Sequence, residues 1–407
     1  TQLSAVTSQA SPIAQSAPPF SLKLAAQAPI ATIQFVPMAC RPLVSGALAA
    51  CVGDLVQLAI FPKFVLATPA RRGKRHKLAS LIASRVHKWD SLSVEERFLK
   101  FATIVRDVKK STRHLAAQIE PFLRAERLAR AGFISKAVRA LRAEKMATSD
   151  DATLTELRLL HPRSRDQPCA ARVEPAADFE VDELSVLTSL KSFPLGSAPG
   201  ASGLRPEHLR DCCTCAAQQL LEPLSKVVQL VARGRFSTES EVGRDYLFAA
   251  RLIPLLKKPG SSSRIRPIAV GEVLRRLAAK VLLSQGQDQT REYFVGRHQL
   301  GIAVRDGCTA AVHTFNAVLQ VFERGYVLLK IDFANAFNNC SRKVFLREGA
   351  SVTPHLYQFL KSAYLHPSSL FLHDSAEVVL SDEGAQQGDP VGPLAFALVA
   401  AMLDREL

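Results

Sequence analysis

The sequence predicts an α+β fold, and three observations point there. Helical and strand-like segments mix along the second half of the chain without the strict alternation of a doubly wound parallel sheet. Two apolar stretches, Tyr246–Leu256 and Arg266–Ala269, flank a Gly/Ser turn at 260–263 and read as paired strands. The earlier part of the chain shows helical spacing under a heavy load of lysine and arginine.

Taken in order, residues 1–38 are rich in Ala, Ser, Gln and Pro, with little charge and no sustained period, and are expected to be flexible. Residues 39–148 form a basic, mostly helical region. Its first run, Leu43 to Phe61, has the length of a membrane span. Gly46, Gly53 and Asp54 interrupt it and Pro62 follows at once; a charge near a bilayer centre is costly, so a buried helix and no membrane are expected. Leu78, Leu81, Ile82 and Val86 then recur at helical spacing, and Asp90-Ser-Leu-Ser-Val-Glu-Glu96 supplies a helix cap with acidic first-turn residues. Residues 149–182, acidic and Pro-containing, read as a linker.

Residues 183–300 open on a short helical face of Val186, Leu187, Leu190 and Phe193. A Gly-rich loop at 194–203 leads to a helix near Pro206, a helix from Gln218 to Arg233, the strand pair, and a helix from Val273 to Leu283. In residues 301–407 a Gly turn leads into a helix over 301–313, and Val327–Ile331 reads as a short buried strand ending at Asp332. Asn335–Phe345 has helical character, and Pro393 opens an apolar helix from Leu394 to Leu403. The chain starts with Thr and stops within that helical pattern, so it is expected to be a piece of a longer product.

Across 407 residues the formal net charge is +15. From Arg71 to Lys145 there are 20 Lys/Arg against 7 Asp/Glu, so nearly all the excess sits in this one stretch. Such a field attracts polyanions and gives salt-dependent binding to phosphate backbones. The leading cluster, Arg71, Arg72, Lys74, Arg75 and Lys77, is the first candidate for nucleic-acid contact. The eight cysteines show no paired zinc-ribbon spacing; His208 with Cys212, Cys213 and Cys215 lacks a second half and reads as free thiols. Without a disulfide pattern or signal peptide, a reducing intracellular compartment is expected.

Three segments carry chemistry. Val327-Leu-Leu-Lys-Ile-Asp-Phe-Ala-Asn-Ala-Phe-Asn-Asn339 delivers one carboxylate, Asp332, at the end of an apolar run. Gly384-Ala-Gln-Gln-Gly-Asp-Pro-Val-Gly-Pro-Leu-Ala-Phe396 is a Gly-rich turn ahead of a helix. Leu252-Ile-Pro-Leu-Leu-Lys-Lys-Pro-Gly-Ser-Ser-Ser-Arg-Ile-Arg-Pro-Ile268 places Lys257, Lys258, Arg264 and Arg266 about a hairpin tip, where cations can close over a triphosphate. Read alone, Asp332 serves equally as a helix cap, the hairpin as a basic surface turn, and Asp389 as a turn residue.

Together these segments resemble the reverse transcriptase domain of non-LTR retrotransposons: the first two its motifs A and B, the third its fingers hairpin. The loop Gly196-Ser-Ala-Pro-Gly-Ala-Ser-Gly-Leu-Arg205 is similar to the "GPDG" element of that family, with Ala201-Ser202 where Pro-Asp is usual. The resemblance covers roughly residues 185–407 and implies right-hand fingers, 183–300, and a partial palm, 301–407. It implies RNA-directed DNA polymerisation by two Mg²⁺ ions (Mn²⁺ as a substitute), with RNA template, DNA primer and dNTP as partners. Asp332 and the Phe333 carbonyl would hold metal. Arg266, with Lys258 and Arg264, would contact the incoming nucleotide. Phe337 would be the steric gate against a 2′-hydroxyl, and Gln387 and Gly388 would support the templating base and nucleotide.

The Tyr/Phe-x-Asp-Asp element that completes such a centre has no counterpart in the 18 residues after Asp389, and Asp150-Asp151 lies before the palm. One carboxylate cannot assemble two metals, so these residues are not expected to polymerise. The other reading is a decayed or repurposed nucleic-acid-binding protein without chemistry. Either way the basic stretch is testable. Neutralising the five cations of 71–77 should flatten the salt dependence of nucleic-acid binding in a filter assay, by about 0.9 in log–log slope for each duplex phosphate no longer neutralised. An unchanged slope would remove them from the interface.

Overall fold

The computed structural model describes residues 32–33, 35–51, 54–67, 76–111, 121–130, 132, 134–141, 146–164, 168, 180–215, 219–234, 247–257, 264–321, 330–372, 375 and 377–406. The fold is α+β, with helices gathered around one four-stranded sheet among the described residues.

The apolar run splits into two helices, α1 (Arg41–Cys51) and α2 (Leu55–Val65). Asp54 causes the split, accepting hydrogen bonds from the Val56 and Gln57 amides as the cap of α2. Leu48, Leu58, Ile60 and Phe61 are fully buried, as expected of a core element. No helix among the described residues is long and apolar enough to cross a membrane. Next come α3 (His76–Asp90) and α4 (Val94–Ser111). Ser93 and Glu96 exchange hydrogen bonds as a capping box, at 2.7 and 3.2 Å, which starts α4 where the sequence places a cap. Trp89 on α3 lies edge-on to Phe61 and Phe64, both at 5.2 Å, and ties α3 to α2. Helices α5 (Pro121–Arg130) and α6 (Ile134–Leu141) pair as a hairpin, with Ala125 and Ala137 buried between them.

The expected linker carries a helix, α7 (Asp151–Leu160), capped by Asp150 at 2.8 Å from the Thr153 amide. Then follow α8 (Glu183–Lys191), α9 (Pro206–Cys213) and α10 (Leu221–Ala232), close to the predicted positions. Strands β1 (Ala250–Leu256) and β2 (Ile265–Gly271) form the predicted hairpin, Ala250 opposite Gly271 and Leu256 opposite Ile265. Beyond it lie α11 (Val273–Gln285), α12 (Gln287–Val295), α13 (Gly307–Val321), the short α14 (Ala336–Asn339), α15 (Arg342–Val352) and α16 (Pro354–Tyr364). Strands β3 (Ser368–Leu372) and β4 (Val378–Ser381) and helix α17 (Gly392–Glu406) end the described chain.

The sheet order is β2-β1-β3-β4, with β1 and β3 parallel and the outer pairs antiparallel. α7 covers one face, packing Leu154 and Leu157 on Leu252, Ile265, Ala269, Leu370 and Val379. The expected divide between a basic helical region and a later domain does not separate two cores. Residues of α1–α3 share one buried cluster with those of α8–α12 and α15–α17.

The join is polar at one place. His208 on α9 is fully buried; its Nε2–H donates to the Ile33 carbonyl at 2.6 Å and its Nδ1 accepts from the Arg205 amide at 3.3 Å. Thr32 donates to the Gly203 carbonyl at 2.8 Å, and the Asp211 carboxylate accepts from the Val36 amide at 3.0 Å. Burial brings the His208 pKa down to about 4, against the opposing hydrogen bond to Ile33 and with a smaller push from Arg205. Between pH 6.5 and 4 the unfolded chain therefore binds a proton that the folded chain refuses, and stability falls on acidification through that window, by about 3 kcal/mol from this group. Urea unfolding of wild type and His208→Gln at pH 7 and 4.5 should show the wild type losing more; parallel losses would assign the acid sensitivity elsewhere.

Candidate nucleotide and nucleic-acid site

The three chemistry-bearing segments meet. The Phe337 carbonyl accepts from the Ala385 amide at 2.7 Å, which fixes the motif A-like segment to the motif B-like turn. The Phe337 ring stacks on Phe396 of α17, 6.1 Å between centroids at 30°, and Phe333 meets the same ring edge-on at 5.9 Å. Gly392, at the start of α17, lets Phe337 lie close: a β-carbon there would sit 3.2 Å from the ring. On the other side the Ala269 amide of β2 donates to the Gln387 carbonyl at 2.8 Å. Gly388 has φ +126°, and a β-carbon on it would come 2.5 Å from the Ala269 carbonyl oxygen, so the turn needs glycine there.

Gln387, Gly388 and Phe337 are thus brought together with the base of the fingers-like hairpin. Arg266 is exposed on β2, opposite Leu255. Arg264 is placed differently from expectation. Its Nε donates to Glu156 Oε2 at 3.3 Å and its Nη2 to Thr153 Oγ1 at 3.1 Å, so it holds α7 while half exposed. Lys258 lies outside the described residues, as do Arg71, Arg72, Lys74 and Arg75. Lys77 lies in α3, with its side chain outside the description.

Asp332 is exposed and caps no helix: α14 has Asn335 at its cap position, in a left-handed conformation at φ +53°, and α15 is capped by Ser341. The expected buried strand is not found where it is described. Residues 330–333 lie outside the sheet and Ile331 is 64% exposed; 327–329 lie outside the described residues. An apolar run marks only a local preference for extended structure, and residues 330–331 have no pairing partner in the described sheet. Among the described residues no three His, Cys, Asp or Glu side chains gather to hold a metal ion. Asp332 with the Phe333 carbonyl could contribute two oxygens. That donor set falls short of the carboxylates a two-ion centre needs, so no step through Mg²⁺ is assigned to these residues.

The Gly-rich loop is filled by carboxylates from within the chain. The Glu207 carboxylate accepts from the amides of Gly196 and, at 3.1 Å, Ser197. Fully buried Glu272 accepts from the Ser202 amide at 2.7 Å and hydroxyl at 2.8 Å. The loop thus carries its own anions. Burial raises the Glu272 pKa, with its Ser202 hydrogen bonds opposing. Burial also lowers that of nearby Lys63 to about 7, against the pull of Glu272.

What sequence reasoning missed is a buried network under the turn. Asp389 is a turn residue, as expected, accepting from the Val391 amide at 3.2 Å. Its carboxylate is also buried and accepts from the Arg275 guanidinium on α11 and, at 2.7 Å, from the Tyr364 hydroxyl. Arg275 donates further to Gln386 Oε1 at 2.8 Å and the Phe248 carbonyl at 2.9 Å, and Gln386 reaches Ser368 at 2.8 Å. Burial, then the Asp389 carboxylate, pushes the Tyr364 hydroxyl well above its ordinary range, so it stays a donor. Arg342 does similar work alongside, donating to the carbonyls of Gly384 at 3.0 Å and Ser381 at 2.9 Å. The signal available in sequence was an arginine within an otherwise apolar helix face.

No protein-family profile and no curated protein sequence matches this chain.

Removing the Asp389 carboxylate strands a fully buried arginine. Asp389→Ala should cost about 3–5 kcal/mol in urea unfolding, against about 1–2 kcal/mol for Tyr364→Phe, which removes one hydrogen bond. Equal losses would mean that the ion pair does not dominate the network.

Proposed function

We propose that this chain supplies the fingers and part of the palm of a reverse transcriptase of the non-LTR retrotransposon kind, and that it binds a primer–template and a dNTP. The observation that carries the reading is the convergence of Phe337, Gln387–Gly388 and the base of the Arg266 hairpin through the Phe337–Ala385 and Ala269–Gln387 hydrogen bonds. Residues far apart in sequence, chosen for nucleotide contact from motif resemblance, meet on one wall. The basic stretch from Arg71 to Lys145 fits the same reading as an attractor of nucleic-acid backbone.

In this reading Arg266 faces the triphosphate, Gln387 and Gly388 support the base, and the ring of Phe337, packed on Phe396, blocks a 2′-hydroxyl. Asp332 would hold a metal ion, whose chemistry is to lower the charge barrier to nucleotidyl transfer. The described carboxylates do not complete that centre, so binding and selection, not turnover, are assigned to these residues.

Photo-crosslinking with a base-reactive dNTP on a primer–template tests this. Adducts should map to Arg266, Phe337 or Gln387, dNTP should compete better than NTP, and Phe337→Ala should erase that preference. Primer extension with Mg²⁺ should stay at background. Adducts elsewhere, with nucleic-acid binding intact, would favour a non-catalytic nucleic-acid-binding protein.

A further inference from the structure

The stretch 146–164, which holds the start of the expected linker at 149, touches the hairpin, the loop after Asp332 and the segment ahead of the Gly384 turn. Met146 makes an isolated bridge to Leu255, and the Ala147 amide donates to the Pro254 carbonyl at 2.9 Å, beside β1 where its pairing with β3 has ended. Nine residues on, within α7, Glu156 grips the hairpin. Its Oε1 accepts from the Ile265 amide at 2.9 Å and its Oε2 from Arg264 at 3.3 Å. One further turn on, the last carbonyls of α7 have no partner within the helix. That of Leu160 accepts from the side chain of Asn335 at 2.8 Å, three residues after Asp332. Asn335 in turn accepts from Asn338 at 3.0 Å, next to Phe337. Past the helix Ser164 donates to Asp382 at 3.2 Å and Glu383 at 2.8 Å, and Glu383 accepts from the Arg342 amide at 2.7 Å, at the start of α15.

We propose that residues 146–164 act as a strap that sets the fingers-like hairpin in register with the loop carrying Asp332, with Glu156 and Asn335 as its positioning residues. Glu156 lies four residues before Leu160, so α7 holds the hairpin by a side chain and the loop by a carbonyl at its end, at a spacing fixed by the helix. Arg264 is then the hairpin's tether to α7 and not a nucleotide ligand. The hairpin cannot swing on β1 without breaking the Glu156 contacts, and a displaced α7 carries the Leu160 carbonyl away from Asn335. The consequence for nucleotide binding rests on the reading proposed above; the strap itself does not.

Hydrogen–deuterium exchange on the whole chain without nucleotide tests the strap alone. Glu156→Ala removes the hydrogen bond from the Ile265 amide to Glu156, so exchange at 264–266 should quicken about tenfold or more. Exchange at 335–340 should quicken with it, while the α9–α10 core stays protected. Asn335→Ala should reproduce the change in reverse order, strongest at 335–340. The charge swap Glu156→Arg with Arg264→Glu should restore much of the protection at 335–340, which a general loss of packing would not allow. Quickening confined to 264–266 would overturn the coupling. A second arm adds dNTP and primer–template: no protection at Arg266 with the strap behaviour intact would sink the nucleotide reading and leave the strap standing.

Discussion

A buried charge pair, Arg275 with Asp389, organises the wall on which the candidate site stands. Neither partner could be taken out of water alone; together, with Tyr364, Gln386 and a backbone carbonyl, they form a hydrogen-bonded unit in which both terminal nitrogens of Arg275 are paired and its Nε is left without an acceptor. The unit connects four elements: α11 through Arg275, α16 through Tyr364, β3 through Ser368, and the turn before α17 through Gln386 and Asp389. The turn is therefore held from beneath, and its upper surface is left to Gln387, Gly388 and the Phe337 ring. Apolar packing alone would tolerate small slips of that turn; a hydrogen-bonded ion pair with directional donors does not.

Much of the fold was legible because it followed from local rules. The hairpin of β1 and β2, the starts of α4, α9 and α17, and the helical faces of α8 and α10 each had a cap, a turn or a clear period in the sequence. The failures share a cause. Whether 330–331 joins a sheet depends on long-range pairing that a short apolar run does not announce, and these residues lie outside the described sheet. The stretch around α7 looked like a linker because acids and prolines recur from 149 to 182, yet Asp150 serves as the helix cap and Glu156 as an anchor. The resemblance picked out segments that meet, and it gave no sign of the Arg264–Glu156 pair, because a charge at a hairpin tip carries no mark of which carboxylate it will find.

The same limit applies to the Gly-rich loop. Glycines before a helix suggest room for an anion, but Glu207 and Glu272 fill that room from inside the chain. Glu272 sits at the cap position of α11, three residues before Arg275, so the loop and the charged unit are fixed by neighbouring turns of one helix. Helix α11 is in this sense the spine of the site, and its burial on nearly every side reflects it.

The contacts of Thr32 and Ile33 with Gly203 and His208 join residues 171 and 175 apart in sequence. During synthesis, at about 5–20 residues per second, the early segment waits roughly 10–35 s before its partner helix exists. Over that time α1 and α2, rich in Leu, Val and Phe, have emerged without the surface that later buries them. Closing so long a loop is entropically costly and is made late. The first helices among the described residues are therefore exposed to aggregation during synthesis, although they end deeply buried.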